Sequence, residues 1–207
     1  VSRGPSWLPR SLQGNSLPAR SIFVRYTHRN DTSTVLIRTD GACLDNGRAN
    51  PKAGWAFWHG VSDDGTQLIA SAGLEAKGPF GAAAAQTSNR AELRAVIAAL
   101  RFRHWPGEGF RTFVVATDSE YVVEGATKWV KKWMENGWKT SAGADVKNKD
   151  LWQALLGDIE RVSDDGLAVQ FWRIPREWNT VADAAAKSAA AREAAPSQWT
   201  EMIGVNI

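Results

Sequence analysis

Apolar positions return along this chain in two rhythms. Short β-branched runs alternate with longer stretches whose apolar residues recur every three to four positions, the periods of strands and of amphipathic helices. Val35-Leu36-Ile37 is one such run, and it stops at Thr39-Asp40-Gly41, which puts Asp40 at the C-terminal end of a strand. Residues 55–58 and 68–72 predict two further strands around an Asp63-Asp64-Gly65 turn, giving an antiparallel meander. Leu93, Val96, Ile97 and Leu100 form an i, i+3, i+4, i+7 stripe and predict a helix over about 89–104. Residues 113–116 then read as a strand that stops at Thr117-Asp118, repeating the placement of Asp40. A helix between these strands implies a right-handed crossover, with both aspartates leaving the same edge of a sheet.

Beyond Asp118 the pattern gives short helical stretches near 119–125 and 128–135, a stop at Gly137 and a helix over 148–161. A last strand follows at 167–172, then an alanine-rich helix over 180–193 ended by Pro196. Strands and helices in this order imply a mixed sheet with helices on its faces, an α/β architecture. Residues 1–30 contain Gly4, Pro5, Pro9, Gly14 and Pro18 without sustained periodicity, and read as an extended arm or linker. The expected organisation is therefore an arm over 1–30, one domain over 31–196 and a tail over 197–207.

Composition narrows the class. With 207 residues, 43% hydrophobic and 23% charged, the chain suits one folded core rather than a disordered or fibrous protein. The single cysteine, Cys43, excludes an internal disulfide framework and a thiolate-rich zinc site. No run approaches the ~18 apolar residues of a membrane span, and no secretory signal is evident, so an intracellular setting is expected, with nucleus, cytoplasm and mitochondrion left open. The opening valine suggests a processed or excised chain.

The net charge of +3 hides an uneven layout. Residues 1–30 carry Arg3, Arg10, Arg20, Arg25 and Arg29 and no carboxylate, leaving a slightly acidic remainder. Within that remainder Lys128, Lys131, Lys132, Lys139, Lys147 and Lys149 form a basic stretch studded with tryptophans. Such a stretch can find phosphates whatever the total charge, or it can be a solvated lysine-rich surface.

Four acids stand at informative places: Asp40 and Asp118 at strand ends, Glu92 near the start of a helix, and Asp183 in the first turn of the last helix. Brought to one sheet edge they would repel unless a divalent cation lay between them. Oxygen ligands without a histidine or cysteine cluster favour magnesium or manganese over zinc. Two such ions ~4 Å apart could orient an attacking water and stabilise the leaving oxygen of a phosphodiester. Taken singly, each acid has a structural alternative: Thr180 with Asp183 fits a capping box, Glu92 suits a helix start, and the aspartates suit turns.

The motifs resemble those of type 1 ribonuclease H from about Val35 to Arg192, in the same order. They are Thr39-Asp40-Gly41-Ala42-Cys43 with Asn46-Gly47, Thr87-Ser88-Asn89-Arg90-Ala91-Glu92-Leu93, Thr117-Asp118-Ser119-Glu120-Tyr121, Asn136-Gly137-Trp138-Lys139-Thr140, Val146-Lys147-Asn148-Lys149-Asp150-Leu151-Trp152, and Pro175-Arg176-Glu177 to Asn179 with Ala182-Asp183. The resemblance implies a five-stranded mixed sheet of order 3-2-1-4-5. It further implies endonucleolytic hydrolysis of the RNA strand of RNA–DNA hybrids with two Mg2+ ions, Mn2+ being an expected substitute. The products would carry 5′-phosphate and 3′-hydroxyl ends, and Asp40, Glu92, Asp118 and Asp183 would be the catalytic, metal-holding acids. A monomer with no membrane and no obligate protein partner is expected.

Trp129 and Trp133, four residues apart and interleaved with Lys128, Lys131 and Lys132, could meet sugars and phosphates or could bury their own helix. The resemblance implies the first: residues 127–139 match the family's basic protrusion, and Tyr121, Trp129 and Trp133 its aromatic channel. It also assigns Thr87 and Asn148 to a DNA-phosphate pocket, and Asn46, Ser88 and Asn89 to the minor groove and RNA 2′-hydroxyls. Ser88 and Asn89 depart from the family's usual asparagine and glutamine. Lys128, Lys132, Thr140 and Ser141 complete the expected hybrid-binding set, with Lys139, Lys147 and Lys149 as secondary phosphate contacts.

Many relatives carry a histidine about ten residues before the last aspartate. Here that loop is shortened to Ile174-Pro175-Arg176-Glu177-Trp178-Asn179 and holds none. It resembles a histidine-lacking Pro-Arg-Glu subgroup; Arg176 could bind the scissile or product phosphate, and Glu177 could relay a proton or perturb a metal. His28, His59 and His104 are expected to be surface or packing residues. Two other readings remain at this stage: a weak or non-catalytic hybrid-binding module, and a ribonuclease H domain of a retroelement polymerase.

Overall fold

The computed structural model describes residues 6–13, 22–192 and 195–202. Among the described residues seven strands form one mixed sheet: β1 (Trp7–Gln13), β2 (Ile22–His28), β3 (Asp31–Leu44), β4 (Lys52–Ser62), β5 (Gln67–Gly73), β6 (Thr112–Thr117) and β7 (Ala168–Arg173). β3 pairs antiparallel with β4, which pairs antiparallel with β5, while β6 lies parallel to both β3 and β7. The expected five strands thus occur in the expected order, and the hairpin β1–β2 adds two more. The helices are α1 (Ser88–Arg101), α2 (Glu120–Glu124), α3 (Val130–Glu135), α4 (Lys149–Asp164) and α5 (Thr180–Ala191), with a π-helical turn, Gly125–Trp129, joining α2 to α3.

Alternation along the strands sorts the two faces. Val35 and Ile37 of β3, Trp55 and Phe57 of β4, and Phe113 and Val115 of β6 enter one buried cluster with Leu93, Val96, Ile97 and Leu100 of α1 and with Leu151 and Leu155 of α4. The helical stripe read from the sequence is thus the buried face of α1, and Thr87 caps it by accepting the Arg90 N–H at 3.3 Å. On the opposite face α5 lies over β3, β4 and β5. A Cβ on Gly54 would stand 2.3 Å from the Ala190 nitrogen, so only glycine lets α5 approach β4 this closely. Farther along that face Leu36, Val114, Ala116 and Ile174 form a second cluster beneath Trp7, Tyr26 and Trp172.

The segment read as an arm is the main departure. Its described residues form β1 and β2, and Tyr26 and Thr27 pair with Leu36 and Val35 of β3. Proline hid the first of these strands: Pro9 lies in β1, which has a partner on one side only, so its missing N–H costs no ladder bond. Of the expected tail, Trp199, Thr200 and Glu201 contact α1. Arg94 of α1 lies over the Trp199 ring at 4.2 Å, donates to the Thr200 carbonyl at 2.7 Å and pairs with Glu75 at 2.8 Å, both charged groups being buried. Arg101 pairs with Glu201 at 2.6 Å. Among the described residues no helix is long and apolar enough to cross a membrane.

Candidate active site

The parallel pairing of β3 with β6 sets Arg38 opposite Ala116, so the next outward pair on the same face is Asp40 and Asp118. Their carboxyls are close enough for Asp118 to raise Asp40. Glu92 arrives from the second turn of α1, beside Gly41. A Cβ on Gly41 would stand 2.1 Å from the Glu92 nitrogen, so the glycine after Asp40 lets helix and strand touch and brings the glutamate to the strand end. Asp183 comes from the first turn of α5.

Asn179, fully buried just ahead of α5, ties these pieces together. Its Nδ2 donates to the Thr39 carbonyl at 2.9 Å, to Asp118 at 2.8 Å and, at 3.4 Å, to Asp40. It provides no side-chain cap for α5, and Asp183 instead accepts from Arg176 at 3.0 Å and Lys187 at 2.7 Å. The Arg176 guanidinium also lies 3.9 Å from Asp118.

Electrostatics mark a shortage of positive charge deep in the site. Burial, then repulsion from Asp118 and Asp183, pushes the Asp40 carboxyl up to about 8. Burial and the neighbouring Asp40 and Asp118 raise Glu92 well above the usual carboxylate range, against the Gly41 N–H it accepts. Glu92 Oε2 is buried without a hydrogen-bond partner. At the rim the balance reverses: burial raises Asp183, but the bonds from Lys187 and Arg176 outweigh it and hold the carboxyl below its ordinary value. A cluster of buried acid oxygens, one of them orphaned, fits a hard divalent cation. In their present rotamers no three acids among the described residues close on a common point, Asp183 being drawn to its two cations.

Comparison with known proteins decides the family. The family model for RNase H matches residues 32–191. The chain belongs to the ribonuclease H family. A ribonuclease H of Treponema pallidum is 40% identical over 172 residues, covering 80% of this chain and 95% of that protein. Human ribonuclease H1 is 36% identical over 141 residues, 68% of this chain and 43% of that protein. These relatives place the chain with the type 1 enzymes, metal-dependent nucleases that hydrolyse the RNA strand of RNA–DNA hybrids. A chain from the foamy viral protease-reverse transcriptase in complex with dsDNA shares the fold, with a TM-score of 0.53, 19% identity and coverage of 75% of this chain and 93% of that one.

The remaining residues singled out in this ribonuclease H lie in the loop after β3, around the start of α1 and from α2 to the start of α4. Asn46 Nδ2 lies 3.3 Å from Ser88 Oγ, and Asn89 is exposed beside them. Arg90 pairs in bidentate fashion with Asp150 at 2.8 and 2.7 Å, which binds the start of α1 to the start of α4. Thr87 and Asn148 precede those two helix starts. Asn148, in a left-handed conformation with φ 59°, donates to the Tyr121 hydroxyl at 3.1 Å, and Trp152 donates to the same oxygen at 2.9 Å. Tyr121 meets Trp129 edge-on at 6.2 Å, and Trp129, Trp133 and Trp152 continue the aromatic chain. Trp133 is half-buried and packs against the core, while Trp129 is 38% exposed.

Lys128 is exposed and paired with Glu124 at 2.7 Å, Lys132 and Ser141 are exposed, and Thr140 is half-buried in a turn closed by the Ala144 carbonyl. Lys139 pairs with Asp145 at 2.6 Å. Arg176 reaches the acids, whereas Glu177 is exposed and outside their network. His59 is buried against Phe57 and Phe102, His28 packs on Trp7, and His104 stands 4.0 Å from Asp165, so each histidine has a packing or surface role. Asn179 and Trp152 had no such prominence in the sequence; an asparagine before a helix reads as an ordinary cap, and a helical tryptophan as core.

Proposed function

We propose that this ribonuclease H cleaves its hybrid with two Mg2+ ions held by Asp40, Glu92, Asp118 and Asp183, Mn2+ being able to replace them. The observation that carries this reading is the set of links that gathers the acids pairwise, Asn179 joining Asp40 to Asp118, Gly41 admitting Glu92 beside the strand end and Arg176 bonding Asp183 near Asp118, with a buried Glu92 oxygen left without a partner. When bound, the ions supply Lewis-acid activation of a water and charge stabilisation of the leaving 3′ oxygen, giving 5′-phosphate and 3′-hydroxyl ends. The protein's own part is to hold the acids. Asn179 fixes Asp118 and Asp40 in one orientation, and Lys187 and Arg176 keep Asp183 ionised at the rim.

Arg176 belongs to a Pro-Arg-Glu loop that does without the usual histidine, and we assign it to the scissile or product phosphate. To do so it leaves Asp183, exchanging one carboxylate partner for a phosphate of the same charge sense. Tyr121 and Trp129 line the path of the DNA strand, Thr87 and Asn148 take one of its phosphates, and Asn46, Ser88 and Asn89 read the minor groove. Lys128, Lys132, Thr140 and Ser141 flank that path. The protein acts as a monomer.

The test is cleavage of a labelled hybrid by purified protein with and without Mg2+, beside duplex DNA, duplex RNA and single-stranded RNA. Metal-dependent cutting of the RNA strand in the hybrid alone is expected. Tight hybrid binding without cutting in either Mg2+ or Mn2+ would overturn the catalytic reading and support a binding module, for which the Arg176 guanidinium across Asp183 and beside Asp118 is the favouring observation.

A further inference from the structure

A run of aromatic rings leaves the active-site rim along the face of the sheet that α1 does not cover, and the cleavage chemistry does not use it. It begins at Trp178, two positions from Arg176 in the turn Arg176–Trp178, and 53% exposed. Trp178 meets Trp172 of β7 edge-on, with centroids 6.2 Å apart at 70°. Trp172 stacks with Trp7 of β1 at 6.0 Å and 24°, and Trp7 meets His28 edge-on at 5.5 Å. Beside the last rings lies an open groove of about 470 Å³, lined by Trp7, Trp172, His28, Thr34 and Gln170 among others.

We propose that this ladder receives unpaired nucleotides of the RNA strand as they run out of the hybrid held in the active site. The inference rests on the proposed function and extends its binding surface. Every base has a π face, so successive indoles offer a sequence-tolerant platform for single strands. Among the described residues no Asp or Glu lines the groove, while its imidazole, hydroxyl and amide can meet base edges and sugar hydroxyls. The nearby Asp31 is already engaged by the hydroxyls of Ser33 and Thr34. Arg173 and Arg176 flank the start of the ladder, each with an exposed side chain, although Arg173 pairs with Glu120 at 2.9 Å. The RNA strand is the one placed at Arg176, so it is the strand that reaches Trp178 first.

Covering the sheet explains part of the ladder. Trp7 and Trp172 pack on Leu36, Val114, Ala116 and Ile174. Trp178 belongs to neither buried cluster, so packing gives no reason for its exposed indole.

The test compares three hybrids of equal paired length: blunt, with a single-stranded RNA overhang, and with a DNA overhang of the same sequence. Affinities are measured on the Asp118→Asn protein to prevent cleavage, and each overhang carries a 2-aminopurine. The RNA overhang is expected to bind at least about fivefold tighter than the blunt hybrid and to be quenched. Adding Trp178→Ala should abolish both the gain and the quenching, with the blunt hybrid as the reference in each background. Adding Trp178→Phe should retain part of both. Equal binding of blunt and overhanging hybrids, a gain that survives Trp178→Ala, or an equal gain from the DNA overhang would overturn the proposal. Failure to bind the blunt hybrid at all would instead strike at the proposed function.

Discussion

Asn179 and Arg176 hold the acids from opposite sides, and they should fail differently. Asn179→Ala removes the amide that orients Asp118 and Asp40 without touching substrate, so turnover should fall about 10–100-fold while hybrid affinity stays unchanged. Asp118→Asn should lower cleavage by orders of magnitude with little loss of thermal stability, because it neutralises a proposed ligand in a site already crowded with negative charge. The pH dependence follows from Asp40, which burial and then Asp118 and Asp183 let keep its proton up to about 8, and from Glu92, which burial and then Asp40 and Asp118 shift in the same direction. A cation must displace those protons, so Mg2+ affinity should rise with pH until about 8 and level off above it. Titration calorimetry in two buffers of different ionisation enthalpy would show the released protons. Asp40 and Asp118 were legible in the sequence because charge at the end of an apolar strand breaks its pattern, and Glu92 and Asp183 through their places near helix starts within the quoted motifs. Asn179 was not, since its partners Thr39 and Asp118 are defined only once β3, β6 and α5 are assembled.

The aromatic elements separate binding from packing. Gly125 begins the π-helical turn ahead of α3, and a Cβ there would stand 2.3 Å from the Trp152 ring. That turn carries Trp129 outward while Trp133 stays against Trp152. Trp129→Ala should therefore weaken hybrid binding about fivefold or more with a near-unchanged melting temperature. Trp133→Ala should cost roughly 2–3 kcal/mol of stability, as for a partly buried indole. Spacing alone could not separate these residues, since a π turn shifts the helical register that i, i+4 arithmetic assumes. The five-strand frame was readable from alternation and from the stripe of Leu93, Val96, Ile97 and Leu100. The β1–β2 hairpin was not, because Pro9 argues against a strand unless its edge position is known.

At the scale of the whole molecule, buried charges fasten the outer segments to the frame. Arg25 of β2 contacts His59 of β4 and pairs with Glu108 at 3.2 Å. Burial, then Arg25 and Arg103, push the His59 imidazole down to about 3. Between that value and ~6.5 the unfolded chain binds a proton the folded one refuses, so this contribution to stability is whole at pH 7 and is lost as pH falls. Asp40, raised rather than lowered, acts in the opposite sense above its ordinary value, so the comparison must be made between variants. Urea unfolding at pH 7 and pH 5 should show about 2 kcal/mol less acid sensitivity in His59→Gln than in the parent chain. Likewise Glu75→Ala, which strands the Arg94 guanidinium between Trp55 and Trp199, should destabilise by about 3–5 kcal/mol.

The fourth acid rides on α5, the last helix, which can seat only after β3, β4 and β5 have joined. A chain still emerging from the ribosome could hold a nearly finished sheet and yet lack both Asn179 and Asp183. Nuclease competence would thus wait on the seating of α5, leaving copies in which it has not yet docked unable to cut any hybrid they happened to meet.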